Sequence, residues 1–204
     1  VKAQEAMAFF TPEILAAGEK VVDALIDSYE PLEVYRRVFK DMLRFEPHTL
    51  SHEVEAILAM SGEMAESSQN TFTMFNEADL KFPEIQDEKG NLIRITHGNY
   101  IRLMDSKDRR VRKDAFEGLY SSYGSYRNTV AATLAGSVKS EVFYAKVRRY
   151  PSALNSALFA DAVDETLYDN LIASIRSNLG AFQDYLRLRK DVLGLEELHF
   201  YDVY

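Results

Sequence analysis

The chain contains no cysteine. No disulfide framework, thiolate metal site or cysteine nucleophile can therefore exist, so any metal would have to be held by His, Asp or Glu. The same absence suits a reducing compartment. Long apolar runs are missing as well. The most hydrophobic windows, Val21 to Ile26 and Thr129 to Val138, are broken by Asp23 or by Thr, Gly and Ser and fall well short of the ~18 residues a membrane span needs. A basic surplus is also lacking: with a net charge of -8, the chain does not offer the excess Lys and Arg on which nucleic-acid or anionic-membrane binding rests. No G-x-S-x-G, P-loop or dinucleotide-binding glycine pattern occurs.

What is present is a globular composition. The 204 residues are 47% hydrophobic and 27% charged, enough to bury a real core and inconsistent with disorder. The start, Val1-Lys2-Ala3-Gln4, has neither an initiator Met nor the apolar centre of a signal peptide. The end, His199 to Tyr204, is a β-prone aromatic run without a polar tail. Both ends read as those of a fragment.

The periodicity predicts a mainly α chain, read as a single helical region over 1–204, with long helices and one β-hairpin at about residues 80–96. Thr11-Pro12-Glu13 marks a helix start. Val22, Leu25, Ile26 and Tyr29 recur at three and four residues until Pro31, and Leu32 to Leu43 repeat the pattern before Pro47. Ser51 caps a helix carrying Val54, Ile57, Leu58, Met60 and Met64 close to one face. Leu80 to Ile85 and Leu92 to Thr96 then flank Asp87-Glu-Lys-Gly-Asn91, whose Gly-Asn suits a tight turn, with Pro83 marking an edge strand.

Ser106 is expected to cap a helix with Asp108 in its first turn and with Val111, Ala115, Leu119, Tyr123, Val130, Leu134 and Val138 as its stripe, running to Arg149. About 40 residues at 1.5 Å each would span roughly 60 Å, so a kink near Gly124 or Gly136 is expected. Asp164 caps a last long helix that carries Leu167, Leu171, Ile175, Leu179, Phe182 and Leu186 and closes at Gly194.

Four constellations carry possible chemistry. His48 and His52 are four apart, the spacing of a zinc-binding pair, but Pro47 and the Ser51 cap put His48 ahead of the helix, and Thr49 stands where a general-base Glu would follow. Glu196-Glu-Leu-His199 has the spacing of a bundle di-iron ligand pair, yet no second copy exists and Gly194 has already ended the helix. Neither reads as a metal site. Arg109-Arg-Val-Arg-Lys113 reads as a solvated helix face around inward Val111, with Asp108 and Asp114 available to pair. Tyr120, Tyr123 and Tyr126, with Phe116, fit either a groove that receives peptide side chains or ordinary helix packing; spacing does not separate the two. No catalytic residue is assigned.

The stretch Gly98 to Tyr126, G-N-Y-I-R-L-M-D-S-K-D-R-R-V-R-K-D-A-F-E-G-L-Y-S-S-Y-G-S-Y, resembles the central region of oligoendopeptidase F, a zinc metallopeptidase family acting on short peptides. Further segments follow in the family's order: Pro47-His-Thr-Leu-Ser51, Asn76-Glu-Ala-Asp-Leu-Lys-Phe-Pro83, Ile95-Thr-His-Gly-Asn-Tyr100, Thr133-Leu-Ala-Gly-Ser-Val-Lys139, Tyr150-Pro-Ser-Ala-Leu154, Tyr168-Asp-Asn-Leu-Ile172 and Leu198-His-Phe-Tyr-Asp-Val-Tyr204. The resemblance implies a mostly helical wall and lid over a channel, opposite a catalytic half that carries H-E-x-x-H and a distant Glu. The resemblance implies that zinc held by that half would supply an activated water and a polarised peptide carbonyl, with Glu as the group that would move the proton. H-E-x-x-H does not occur in this sequence. The resemblance therefore implies an inactive wall-and-lid portion whose candidate channel lining is Tyr120, Tyr123 and Tyr126. It implies an oligopeptide substrate and zinc in the whole enzyme, with neither catalytic nor metal-binding residues in this chain. The rival reading is a freestanding helical peptide-binding or scaffold protein related to the peptidase.

Overall fold

A computed structural model describes residues 10–204, apart from the side chains at positions 10, 12 and 52. The described residues are mainly α, with one antiparallel two-stranded hairpin among them, as the periodicity predicts. The helices are α1 (Phe10–Ala17), α2 (Glu19–Ser28), α3 (Arg36–Leu43), α4 (His52–Ala65), α5 (Ser67–Met74), α6 (His97–Met104), α7 (Arg109–Ser125), α8 (Arg127–Val147), α9 (Ala153–Ala160), α10 (Glu165–Ser177) and α11 (Leu179–Val192). The strands are β1 (Glu84–Gln86) and β2 (Leu92–Arg94). The described residues form two compact units, one of residues 10–62 and 142–156, the other of Glu63–Glu141 and Ala157–Tyr204.

In the first unit, Val22 and Ile26 of α2 and Leu43 of α3 form a small core, flanked by Ile14, Leu15, Leu32 and Phe39. Pro31 starts a tight helical turn over Glu30–Tyr35, so the α-helix predicted from Leu32 begins only at Arg36. Arg36 then ties the three pieces together through Asp23 (3.3 Å), Asp27 (2.6 Å) and Glu33 (2.7 Å). Ser51 precedes α4, where its carbonyl accepts from Glu55 N–H at 2.9 Å. Of that helix's apolar positions only Leu58 is buried; Ile57, Met60 and Met64 remain exposed.

The second unit has the larger core, formed by the hairpin, α6, α7 and Tyr201. Strand alternation buries Ile85 and leaves Glu84 and Gln86 outside, with Ile85 opposite Ile93. The Asp87 carboxylate accepts from Lys89 N–H and Asn91 N–H, both at 2.8 Å, while Gly90 supplies the positive φ of 82° that closes the turn. Thr96 and Asn99 form a reciprocal capping box at the start of α6. Along α7, Val111, Ala115 and Leu119 repeat every four residues into the core. At Gly118 the helix meets the hairpin so closely that a Cβ would fall 2.7 Å from Ile95 Cδ1 and 3.0 Å from Pro83 Cγ.

Asp108, not Ser106, caps α7: its carboxylate accepts from Arg110 N–H at 2.9 Å, and Ser106 Oγ accepts from Asp108 N–H at 3.2 Å. The long predicted helix breaks at Tyr126 (φ -113°, ψ 17°), two residues beyond Gly124. The last long helix is similarly interrupted at Asn178 (φ -105°, ψ 6°), where the Asn178 amide bonds to Ser174 O at 2.8 Å. Asp164 caps α10 as predicted, accepting from Thr166 N–H at 2.7 Å. Gly194 closes α11 with φ 62° and a Leu195 N–H to Lys190 O bond of 3.1 Å, while Arg149 and Ala162 take the same left-handed position after α8 and α9.

Candidate functional site

Arg109 and Arg112 lie one helical turn apart on α7, the i, i+3 spacing that lets both reach one target. That target is Asp202, whose side chain is completely buried. Its carboxylate accepts from Arg109 Nε (2.9 Å) and Nη2 (2.8 Å), from Arg112 Nη2 (3.0 Å) and from His199 N–H (3.0 Å). Burial by itself pushes the Asp202 carboxyl up. Arg109, the His199 amide and Arg112 together outweigh it and hold the pKa at about 2. Arg112 also donates to Tyr201 O at 2.7 Å and Ser106 O at 2.9 Å, and Arg189 donates to Asp202 O at 2.6 Å.

The basic run is therefore divided, not wholly solvated. Arg110 pairs with Asp108 and Asp114 on the surface, as expected, whereas Arg109 and Arg112 clasp the aromatic segment at 199–204. Charge pattern alone missed this because Asp202 is 90 residues away from Arg112. The i, i+3 arginines and a carboxylate embedded in an aromatic run were the available signal.

The clasp lays aromatic side chains beside α7. Phe116 meets Tyr120 at 4.5 Å, Tyr201 edge-on at 5.9 Å and Phe200 nearly parallel at 6.3 Å. Phe200, Tyr120 and Tyr204 keep 77%, 56% and 52% of their surface exposed, which leaves an apolar face with hydrogen-bonding tips. Burial pushes the nearby Tyr100 phenol up to about 12, with Tyr204 and Tyr120 adding to the effect.

The three singled-out tyrosines do not share one environment. Tyr120 belongs to the Phe116 face. Tyr123 is partly buried, with its hydroxyl donating to Asn76 Oδ1 at 2.5 Å and its ring near Phe82 and His97. Burial, and then Glu77, raises its pKa. Tyr126, half-exposed at the break after α7, meets Phe75 edge-on at 5.0 Å.

Among the described residues, no group of three or more His, Asp or Glu side chains is placed to hold a metal. In the first unit, His48 stacks on Tyr150 at 3.6 Å and bonds through Nδ1 to Arg148 O at 2.8 Å. His52 opens α4, and its side chain lies outside the described residues. In the second unit, His97 packs edge-on against Phe82 and His199 stacks on Tyr201. Glu196 and His199 follow the end of α11, so they share no helix. His48, His97 and His199, each engaged by an aromatic ring, are not brought together as a zinc site. No helix among the described residues is long and apolar enough to cross a membrane.

The family model for Oligopeptidase F matches residues 13–82, and that for Peptidase family M3 matches residues 102–204. The chain belongs to peptidase family M3, with the oligoendopeptidases F. Among family members, Oligopeptidase PepF of Bacillus subtilis (strain 168) is 44% identical over 203 residues, covering 100% of this chain and 30% of that protein. Group B oligopeptidase PepB of Streptococcus agalactiae is 38% identical over 203 residues, covering 100% of this chain and 34% of its own length. The crystal structure of oligoendopeptidase-F from Enterococcus faecium matches with a TM-score of 0.91 at 41% identity, over 100% of this chain and 40% of that one. The chain thus spans about a third of the length of these curated M3 relatives.

Proposed function

We propose that this chain is the non-catalytic wall-and-lid portion of a cytoplasmic, zinc-dependent oligoendopeptidase that hydrolyses peptide bonds in short unfolded peptides. The observation that carries the proposal is the pairing of full-length similarity to oligopeptidases with coverage of only 30% of the Bacillus subtilis relative. Zinc and the groups that activate water belong, on this reading, to the remainder of the enzyme, and the chain alone is inactive. Its own contribution is exclusion and contact: a narrow channel admits extended peptides, and the half-exposed rings of Tyr120 and Tyr126 offer apolar surface with a polar tip to the passing side chains. Tyr123 offers less to a peptide, since it is partly buried and Asn76 holds its hydroxyl.

Zinc analysis and a peptide-cleavage assay on this chain and on a chain extended to the relatives' length test the proposal, with circular dichroism confirming that both are folded. The long chain is expected to bind one zinc and cleave peptides, and this chain to do neither. Stoichiometric zinc or robust cleavage by the 204 residues alone overturns it.

A further inference from the structure

Helices α10 and α11 contain no buried residue, yet both are amphipathic. Leu167, Leu171 and Ile175 recur every four residues on α10, and each keeps more than half its surface exposed. On α11, Phe182, Leu188 and Val192 fall within about a third of the helix circumference at 100° per residue, and these too are more than half exposed. Six large apolar side chains exposed on two successive helices that touch each other are more than the single exposed hydrophobics of an ordinary surface, and such faces mark a place where something docks.

Two observations identify the occupant. Both helices lie inside the stretch 102–204 that Peptidase family M3 matches, so they belong to the peptidase region itself. Most of the relatives' length lies outside this chain, which covers 30% of the Bacillus subtilis protein and 40% of the Enterococcus faecium structure. We infer that the apolar faces of α10 and α11 are the seat on which the remaining part of the peptidase packs, an internal interface of the longer protein as opposed to a surface lining the open peptide channel. This rests on the peptidase reading above. Packing there removes the six side chains from water and fixes the wall to the part that carries the chemistry.

Because this chain has no cysteine, single thiols can report the surface. In a chain of the relatives' full length, freed of any other cysteine, Leu171→Cys and Phe182→Cys are compared with Asp169→Cys and Asp184→Cys. Each aspartate lies two residues along the same helix, about 200° around its axis from the apolar position. Maleimide labelling rates are normalised to those in denaturant. The apolar-face thiols are expected to react at least tenfold more slowly than the polar-face ones at every protein concentration. A smaller ratio overturns the seat, and so does protection that fades on dilution, which would assign the face to a second copy of the chain. If a substitution unfolds the protein, hydrogen exchange on the unsubstituted long chain replaces labelling: rapid exchange throughout residues 165–192 overturns the inference, and slow exchange supports it. Peptide cleavage is measured on the same samples. Protection without cleavage removes the functional reading alone, and cleavage without protection removes the seat alone.

Discussion

Gly118 lies against Ile95 with space for a hydrogen and nothing larger: a Cβ at 118 would stand 2.7 Å from Ile95 Cδ1. Ile95 is itself 1% exposed and walled in by the hairpin core, so it has little freedom to yield. Helix α7 and the hairpin are joined at this contact.

Gly118→Ala is expected to destabilise the protein by about 1–3 kcal/mol in urea unfolding, the cost of overpacking outweighing the gain in helix propensity. Gly124→Ala is the control. It is on the same helix and nothing lies within 4 Å of its would-be Cβ, so it should stabilise by about 0.5–1 kcal/mol. Equal effects at the two sites would remove the close-approach argument.

Asp202→Asn leaves two guanidinium groups facing a neutral amide in a buried site, and should cost roughly 3 kcal/mol at neutral pH. Because the folded-state pKa lies below the ordinary 3.8, the ionised carboxylate contributes stability above that value and loses it as pH falls through about 2. The gap between the native protein and the variant should therefore narrow between pH 4 and pH 2. Unfolding curves at the two pH values check it; a constant gap would mean that Asp202 acts through shape alone.

Glu55 and Arg148 form a two-pronged pair, both contacts at 2.8 Å, with each side chain about a third exposed. A double-mutant cycle with Glu55→Gln and Arg148→Met should give a coupling of about 1 kcal/mol, reduced by solvent screening. Arg148 holds the Glu55 carboxyl below its ordinary 4.5, so the coupling is present at neutral pH and disappears in acid. High salt should weaken it in the same direction.

On the proposed peptidase reading, substitutions of the tyrosines on α7 should separate contact with peptide from structural support. In a chain of the relatives' length, the proposed function predicts that Tyr120→Ala raises KM several-fold with kcat and thermal midpoint almost unchanged. Tyr123→Phe should instead cost about 1 kcal/mol of stability through loss of the bond to Asn76, leaving KM alone. An unchanged KM in Tyr120→Ala excludes that ring from the channel.

Signals that act over a few residues were legible in the chain. Asp164 and Gly194 mark the ends they were read to mark, and the turn through Gly90 sits inside the predicted hairpin. The interruption at Tyr126 falls two residues from Gly124, where a kink is expected, whereas that at Asn178 is harder to read, because the position carries neither Pro nor Gly and the apolar stripe continues through it. From charge pattern Arg109 and Arg112 look solvated for a related reason: their partner is distant in sequence and is specified by tertiary packing. Stripes on α4 and α10 were likewise legible as amphipathic, but periodicity does not say what covers the apolar side. The candidate site was visible only as a cluster of tyrosines, and the structure distributes these among three different sets of neighbours.

The clasp on Asp202 also imposes an order of events during biosynthesis. Arg112 leaves the ribosome 90 residues before the aspartate that neutralises it, a delay on the order of ten seconds at ordinary elongation rates. In that interval the hairpin, α6 and α7 can assemble through near-neighbour contacts, but the place of Tyr201 in their core stays empty. A nascent chain halted before residue 199 would hold two arginines aimed at a missing carboxylate and an unsealed apolar surface, the kind of intermediate that chaperones retain.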